Sequence, residues 1–218
     1  MNEARPLQKK DLPTIEVLPR TNDEKRTYVI FGVPRGGTTM VAGVARMCGL
    51  DIGSNLPDNC EDSLFSLDVI KRELGDQDQA LEQIRSNVQQ LSKEKSIWGW
   101  KFPTAFRYLR DIKSDLVNPH LIVVFRDAVA ISTRRVVRGM DAVEALKRFT
   151  AMQNHNVDLI SDWDVPTLLV SYEKAVSNPE GLVQGLCDFI GTENNVDMEE
   201  ARDYMQPGRY KPVPTTGV

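Results

Sequence analysis

The stretch "TYVIFGVPRGGTTMVAGVARMCGL", residues 27–50, decides the fold. Residues 27–32 form an apolar run of strand length, and residues 38–50 read as the helix that follows. Between them lies a tight turn holding Gly32, Arg35, Gly36 and Gly37. A strand, a glycine-rich turn and a helix bring backbone N–H groups and the positive end of a helix dipole to one point. That geometry suits a phosphate or a similar oxyanion. Gly36 and Gly37 carry no side chains to hold an anion off the backbone, and Thr38 and Thr39 add hydroxyls in the first turn. Gly32, Gly37 and Thr39 match the loop G-x-x-x-x-G-K-[ST], but Thr38 stands where its lysine belongs and Arg35 lies inside the loop. The competing reading of the same residues is a plain strand-to-helix turn capped by threonine.

Outward from this stretch, short apolar runs alternate with helical patterns, the signature of a parallel sheet covered by helices. Residues 51–62, "DIGSNLPDNCED", are dense in turn formers and read as a loop, followed by two polar helices within 63–92. "SIWGW" (96–100) is a second strand, ending at Lys101 and Pro103, and 104–114 read as a short helix. "HLIVVF" (120–125) is the strongest strand, with helices expected over 128–139 and 141–161. "VPTLLVS" (165–171) is a further strand, and "NPEGLVQGLCDFIG" (178–191) a helix with proline near its start and glycine after its end. The fold class expected is α/β, a three-layer P-loop-like arrangement with a central parallel sheet flanked by helices. A single domain is expected over residues 27–218. Residues 1–26, polar and holding Pro6, Pro13 and Pro19, read as an arm over the domain or a flexible lead-in.

Composition narrows the function. The 218 residues are 41% hydrophobic and 27% charged, which describes an ordinary globular chain. A formal net charge of -4 argues against a general nucleic-acid binder, although a local basic cluster can still hold a small anion. Cys48, Cys60 and Cys187 form no metal-ligand pattern and no even-numbered disulfide framework, so a reducing, cytoplasmic setting is expected. No metal is expected. The first twenty residues have no apolar core and no run elsewhere has membrane-spanning length, so neither a secretory leader nor stable membrane insertion is expected.

A kinase or ATPase needs a lysine on the terminal phosphates, a magnesium ion and usually an aspartate closing a second apolar strand. "LIVVFRD" (121–127) supplies such a strand, but Arg126 stands before Asp127, and a cation there suits an anion better than a metal. Arg126 leaves a buried strand at its carboxyl end, the edge where open parallel sheets bind ligands.

Together these segments resemble the sulfotransferase family whose donor is 3′-phosphoadenosine 5′-phosphosulfate (PAPS). "VPRGGTT" (33–39) resembles its loop for the 5′-phosphosulfate, and "VVFRDAVAISTR" (123–134) its signature for the 3′-phosphate. "WGWKFP" (98–103) is similar to a stretch of many bacterial members, and residues 168–191 to the family's late strand and helix. The resemblance spans roughly residues 27–192. It implies an enzyme that moves a sulfuryl group from PAPS to a hydroxyl or amine, with Arg35, Gly36, Gly37, Thr38 and Thr39 holding the phosphosulfate. Arg126 and Ser132 would hold the 3′-phosphate, with Thr133 as the fallback for Ser132, because the family's arginine-to-serine spacing in animal cytosolic members is longer. Arg35 replaces a residue that is commonly lysine; it can hydrogen-bond the sulfuryl but does not give up a proton at neutral pH.

A transfer to a hydroxyl or amine needs a base. Family members without a histidine base often carry a glutamate after the first helix, and "NCEDSLF" (59–65) places Glu61 there, with Asp62 behind it. Acids at the start of a helix are also favoured by its dipole alone. His120 opens the central strand at the end away from the donor, and His155 lies in mid-helix. Lys101 ends its strand at the ligand edge, where it can stabilise the transferring sulfuryl or form an ion pair. Trp98 and Trp100 read as core, and at least two of Arg134, Arg135 and Arg138 as a solvated helix face. Arg209 and Lys211 are candidates for a late basic loop over the nucleotide. The expected partner is a small-molecule or glycan acceptor; its identity and the oligomeric state are not encoded legibly. The rivals are a nucleotide kinase that recruits Lys101, ATP and magnesium, and an inactive nucleotide-binding relative.

Overall fold

Two almost wholly buried strands form the centre of the sheet, and much of the site is built on their ends. In a computed structural model of the protein, residues 11–206, 208 and 211–216 are described. Strand β2 (Arg26–Phe31) and strand β4 (Pro119–Phe125) lie side by side and parallel. Strand β3 (Ile97–Lys101) flanks β2, β5 (Thr167–Ser171) flanks β4, and β1 (Thr14–Leu18) adds an antiparallel edge, giving the order β1-β5-β4-β2-β3. Because β2 is followed by β3 on one side and β4 lies on its other, the connections diverge between β2 and β4. Such a switch point opens a crevice at the carboxyl ends of the strands.

The sheet is buried on both faces because side chains alternate along each strand. Tyr28, Ile30, Ile122 and Val124 face a core formed with helices α1 (Thr38–Met47), α7 (Pro179–Ile190) and α8 (Met198–Met205). Val29, Phe31, Leu121 and Val123 face the other core with α2 (Leu67–Leu74), α3 (Gln77–Glu94) and α5 (Ala142–Trp163). The expected three-layer P-loop-like α/β architecture is the one the chain adopts. Trp98 and Trp100 belong to this second core, where Phe65 stacks on Trp100 with ring centroids 4.4 Å apart. The remaining helices are α4 (Ala128–Val136) and the short α6 (Tyr172–Ser177).

Three elements differ from the reading of the sequence. Part of the segment read as an arm is strand β1, whose Ile15 and Val17 stay exposed, so no apolar run marked it. The short helix expected over 104–114 is instead two 3-10 turns, Ala105–Arg107 and Lys113–Asp115. Along this stretch Ala105, Tyr108, Leu109 and Ile112 all reach the core, and Tyr108 takes a hydrogen bond from the Trp100 indole. Helix α8, beyond the segments read as elements, closes over α1: its Tyr204 lies against Gly43, where an added Cβ would come within 2.3 Å of the ring. No helix among the described residues is long and apolar enough to cross a membrane.

Candidate active site

Gly32 follows β2 so close to β4 that a Cβ would sit 2.5 Å from the Val124 carbonyl oxygen. The chain then turns through Arg35, in the left-handed region at φ +68°, and Gly37 at φ +92°. Gly37 is the N-cap of α1 and no side chain caps the helix, so its first-turn N–H groups face outward without an intrahelical partner. A Cβ on Gly37 would strike the Tyr172 ring at 2.1 Å. The ring thus lies against the loop on one side and beneath the Arg126 guanidinium, 4.1 Å from its centroid, on the other. Arg126 Nη1 donates to the Arg35 carbonyl at 3.0 Å, which ties the end of β4 to the loop. Its Nε is buried with no hydrogen-bond acceptor, the nearest carboxylate being Glu173 at 3.8 Å.

Opposite stands Lys101, at the end of β3 and 1% exposed. Its ammonium donates to Glu61 Oε1 at 2.7 Å, to the Asn59 carbonyl at 2.9 Å and to Thr39 Oγ1 at 3.3 Å. Three donors meet three acceptors, so the buried charge is fully hydrogen-bonded. Burial pulls the Lys101 pKa down, and the Glu61 carboxylate works against that. The Thr39 hydroxyl donates in turn to Asn59, so one carbonyl joins the first helix, the 51–62 loop and β3. Asp62 is occupied differently: its carboxylate accepts from Leu64 N at 2.9 Å and starts a 3-10 turn. Of the two acids weighed as base, Asp62 is the one doing the capping.

These groups line one cleft of about 600 Å³, which brings together Arg35, Gly37, Thr38, Thr39, Glu61, Lys101 and Arg126. Gly36 is buried in the turn behind it, its N–H bonded to the Val33 carbonyl. Lys211 also lines the cleft and pairs with Asp203; Arg209 lies outside the described residues. Ser132 is 5% exposed and off the lining, its hydroxyl donating to the Ala128 carbonyl at 2.7 Å. Thr133 donates to Val129 and faces a second, smaller cavity. His120 is at the opposite end of its strand, hydrogen-bonded to Thr21 and Asn118. Sequence reasoning missed Tyr172, Glu173 and Tyr204. The signal for the first two was present: they follow β5 directly, at the same carboxyl edge as the loop, Lys101 and Arg126. No cluster of metal-binding side chains occurs among the described residues.

Fold and site together define a P-loop-like α/β protein whose glycine-rich loop lacks a lysine. Two solved structures share that fold. One is the sulfotransferase domain from the Synechococcus PCC 7002 olefin synthase, at 20% identity and a TM-score of 0.55, with 88% of this chain and 81% of that one covered. The other is the sulfotransferase domain from the curacin biosynthetic pathway, at 16% identity and a TM-score of 0.51, covering 88% and 80%. The sequence matches no protein-family model and no curated protein.

Proposed function

We propose that the protein is a sulfotransferase that moves the sulfuryl group of PAPS to a hydroxyl or amine. The observation that carries this reading is the convergence, in one cleft, of an uncapped helix N-terminus and the Arg126 guanidinium, whose Nε has no hydrogen-bond acceptor. Two anion sites joined through the Tyr172 ring suit a ligand with a phosphate group at each end. The fold shared with two sulfotransferase domains agrees with it.

PAPS supplies a sulfuryl group whose departure leaves negative charge on the bridging oxygen. In this reading the loop N–H groups, Thr38, Thr39 and Arg35 stabilise that charge, as preorganised donors do. Arg126 holds the 3′-phosphate, with Lys211 across the cleft. Ser132 joins it only by turning its hydroxyl away from Ala128. Glu61 takes the proton of the acceptor, while Lys101 positions the Glu61 carboxylate and the Thr39 hydroxyl. The acceptor's oxygen or nitrogen bonds to sulfur as the bond from sulfur to the bridging oxygen breaks.

The kinase alternative is not favoured. Its lysine would have to be Lys101, whose N–H bonds are engaged with Glu61, Asn59 and Thr39. The aspartate after β4, Asp127, caps α4 by accepting from Ala130 N.

Calorimetry with adenosine 3′,5′-bisphosphate and with ATP, each with and without magnesium, tests the reading. The bisphosphate is expected to bind without magnesium, and Arg126→Ala to weaken it by at least about tenfold, as loss of a charge-assisted contact does. ATP binding that requires magnesium, with no bisphosphate binding, would reject the proposal. Transfer of radiolabelled sulfate from PAPS to an acceptor panel separates an active enzyme from an inactive relative.

A further inference from the structure

Beside the main cleft is a second cavity of about 260 Å³, walled by Arg35, Ile131, Thr133, Arg135, Val137 and Arg138. Arg35 lines both cavities, so a ligand in the second lies next to the loop assigned to the sulfuryl group. Arg138 is exposed and Arg135 partly so, as a solvated face requires, and both also line this space; the side chain of Arg134 lies outside the described residues.

The geometry points to an acceptor subsite for an anionic group, a carboxylate or phosphate carried on an aliphatic chain; this rests on the sulfotransferase reading and names its acceptor class. Ile131, Arg135 and Arg138 recur at spacings of four and three, which puts them on one side of the α4 stretch. Arg135 and Arg138 repel each other at that spacing, and no carboxylate among the described residues pairs with either. Arg85, Arg107, Arg110 and Arg202 each do meet one. A bound anion removes the repulsion, and a guanidinium can bind it in a bidentate manner. The apolar part of the lining, Ile131 and Val137, fits an alkyl segment; Val137 is 82% exposed and Ile131 lies buried behind it.

The test is calorimetry on the full chain saturated with adenosine 3′,5′-bisphosphate, which fills the main cleft, with hexanoate, hexyl phosphate and hexanol as probes. Hexanoate or hexyl phosphate is expected to bind at least about fivefold tighter than hexanol, and the preference to weaken as salt is added. Whichever of the two acids binds tighter identifies the carboxylate or the phosphate as the natural group. The double variant Arg135→Ala/Arg138→Ala is expected to lose the preference while keeping its bisphosphate affinity and its thermal midpoint. Equal binding of the three probes, no binding of either acid, or a preference retained in the double variant would overturn the subsite alone. Absence of bisphosphate binding in the wild-type protein would overturn the sulfotransferase reading, and the acceptor role with it.

Discussion

Lys101 is charged and almost wholly buried, and its surroundings explain how. Each of its three N–H bonds has an acceptor, and one acceptor is the carboxylate proposed as the base. A half-exposed Glu61 alone would sample many rotamers; the ammonium holds it at the mouth of the cleft. Glu61→Gln is expected to lower sulfuryl transfer by about 10²–10⁴-fold, the usual range for loss of a general base, with bisphosphate affinity unchanged. Transfer that survives the change would remove Glu61 from the mechanism. Lys101→Met should cost about 2–3 kcal/mol in urea unfolding, below the full value for a broken buried pair because water still reaches Glu61. Both residues were legible in the sequence as candidates, one at a strand end and one after the first helix. Their pairing was not, because 40 positions separate them and only the fold brings them together.

At the scale of elements, the loop and α1 act as a unit with α6. Gly37 is required twice: its φ of +92° is costly for any residue with a Cβ, and the Tyr172 ring occupies the space such an atom would need. Gly37→Ala is therefore expected to lose about 1–3 kcal/mol of stability and to weaken bisphosphate binding by at least about tenfold. Urea unfolding and calorimetry measure the two effects; an alanine variant with wild-type affinity would show that the loop is not the anion site. The strand–turn–helix was readable because glycine pattern and apolar periodicity agree over 27–50. The 3-10 turns over 104–114 were not readable as such. There, demands of the core outweigh local helix propensity: Tyr108 must reach both Trp100 and the Phe65 carbonyl.

For the whole molecule, the end of the sheet away from the cleft contributes to acid stability through His120. His120 is fully buried; its Nε2 accepts the Thr21 N–H at 3.2 Å, while Nδ1 lies 2.8 Å from the Asn118 carbonyl and so carries the proton. Burial holds its pKa below the usual value, and Arg26 and Arg20 push the same way against Asp23 and the Asn118 bond. The unfolded chain therefore takes up the proton first as pH falls. The stability that neutral His120 contributes is full above about pH 6.5 and declines below it, by up to about 1.4 kcal/mol per pH unit until the folded-state pKa is reached. Urea unfolding at about pH 7 and pH 5 should show this loss, and His120→Gln should reduce it. An unchanged slope in that variant would assign the acid sensitivity to other groups. The sequence by itself determined the alternation of strands and helices, the glycine-rich loop and the arginine at the end of β4, because each is written in contiguous residues whose periodicity and glycines act locally. Only the tertiary structure decided that Lys101 holds Glu61, that Tyr172 lies between the loop and Arg126, that Ser132 turns inward, and that Arg135 and Arg138 wall a cavity. Those relations depend on strand order and helix rotation, which are set by how the two cores are filled and not by any one segment.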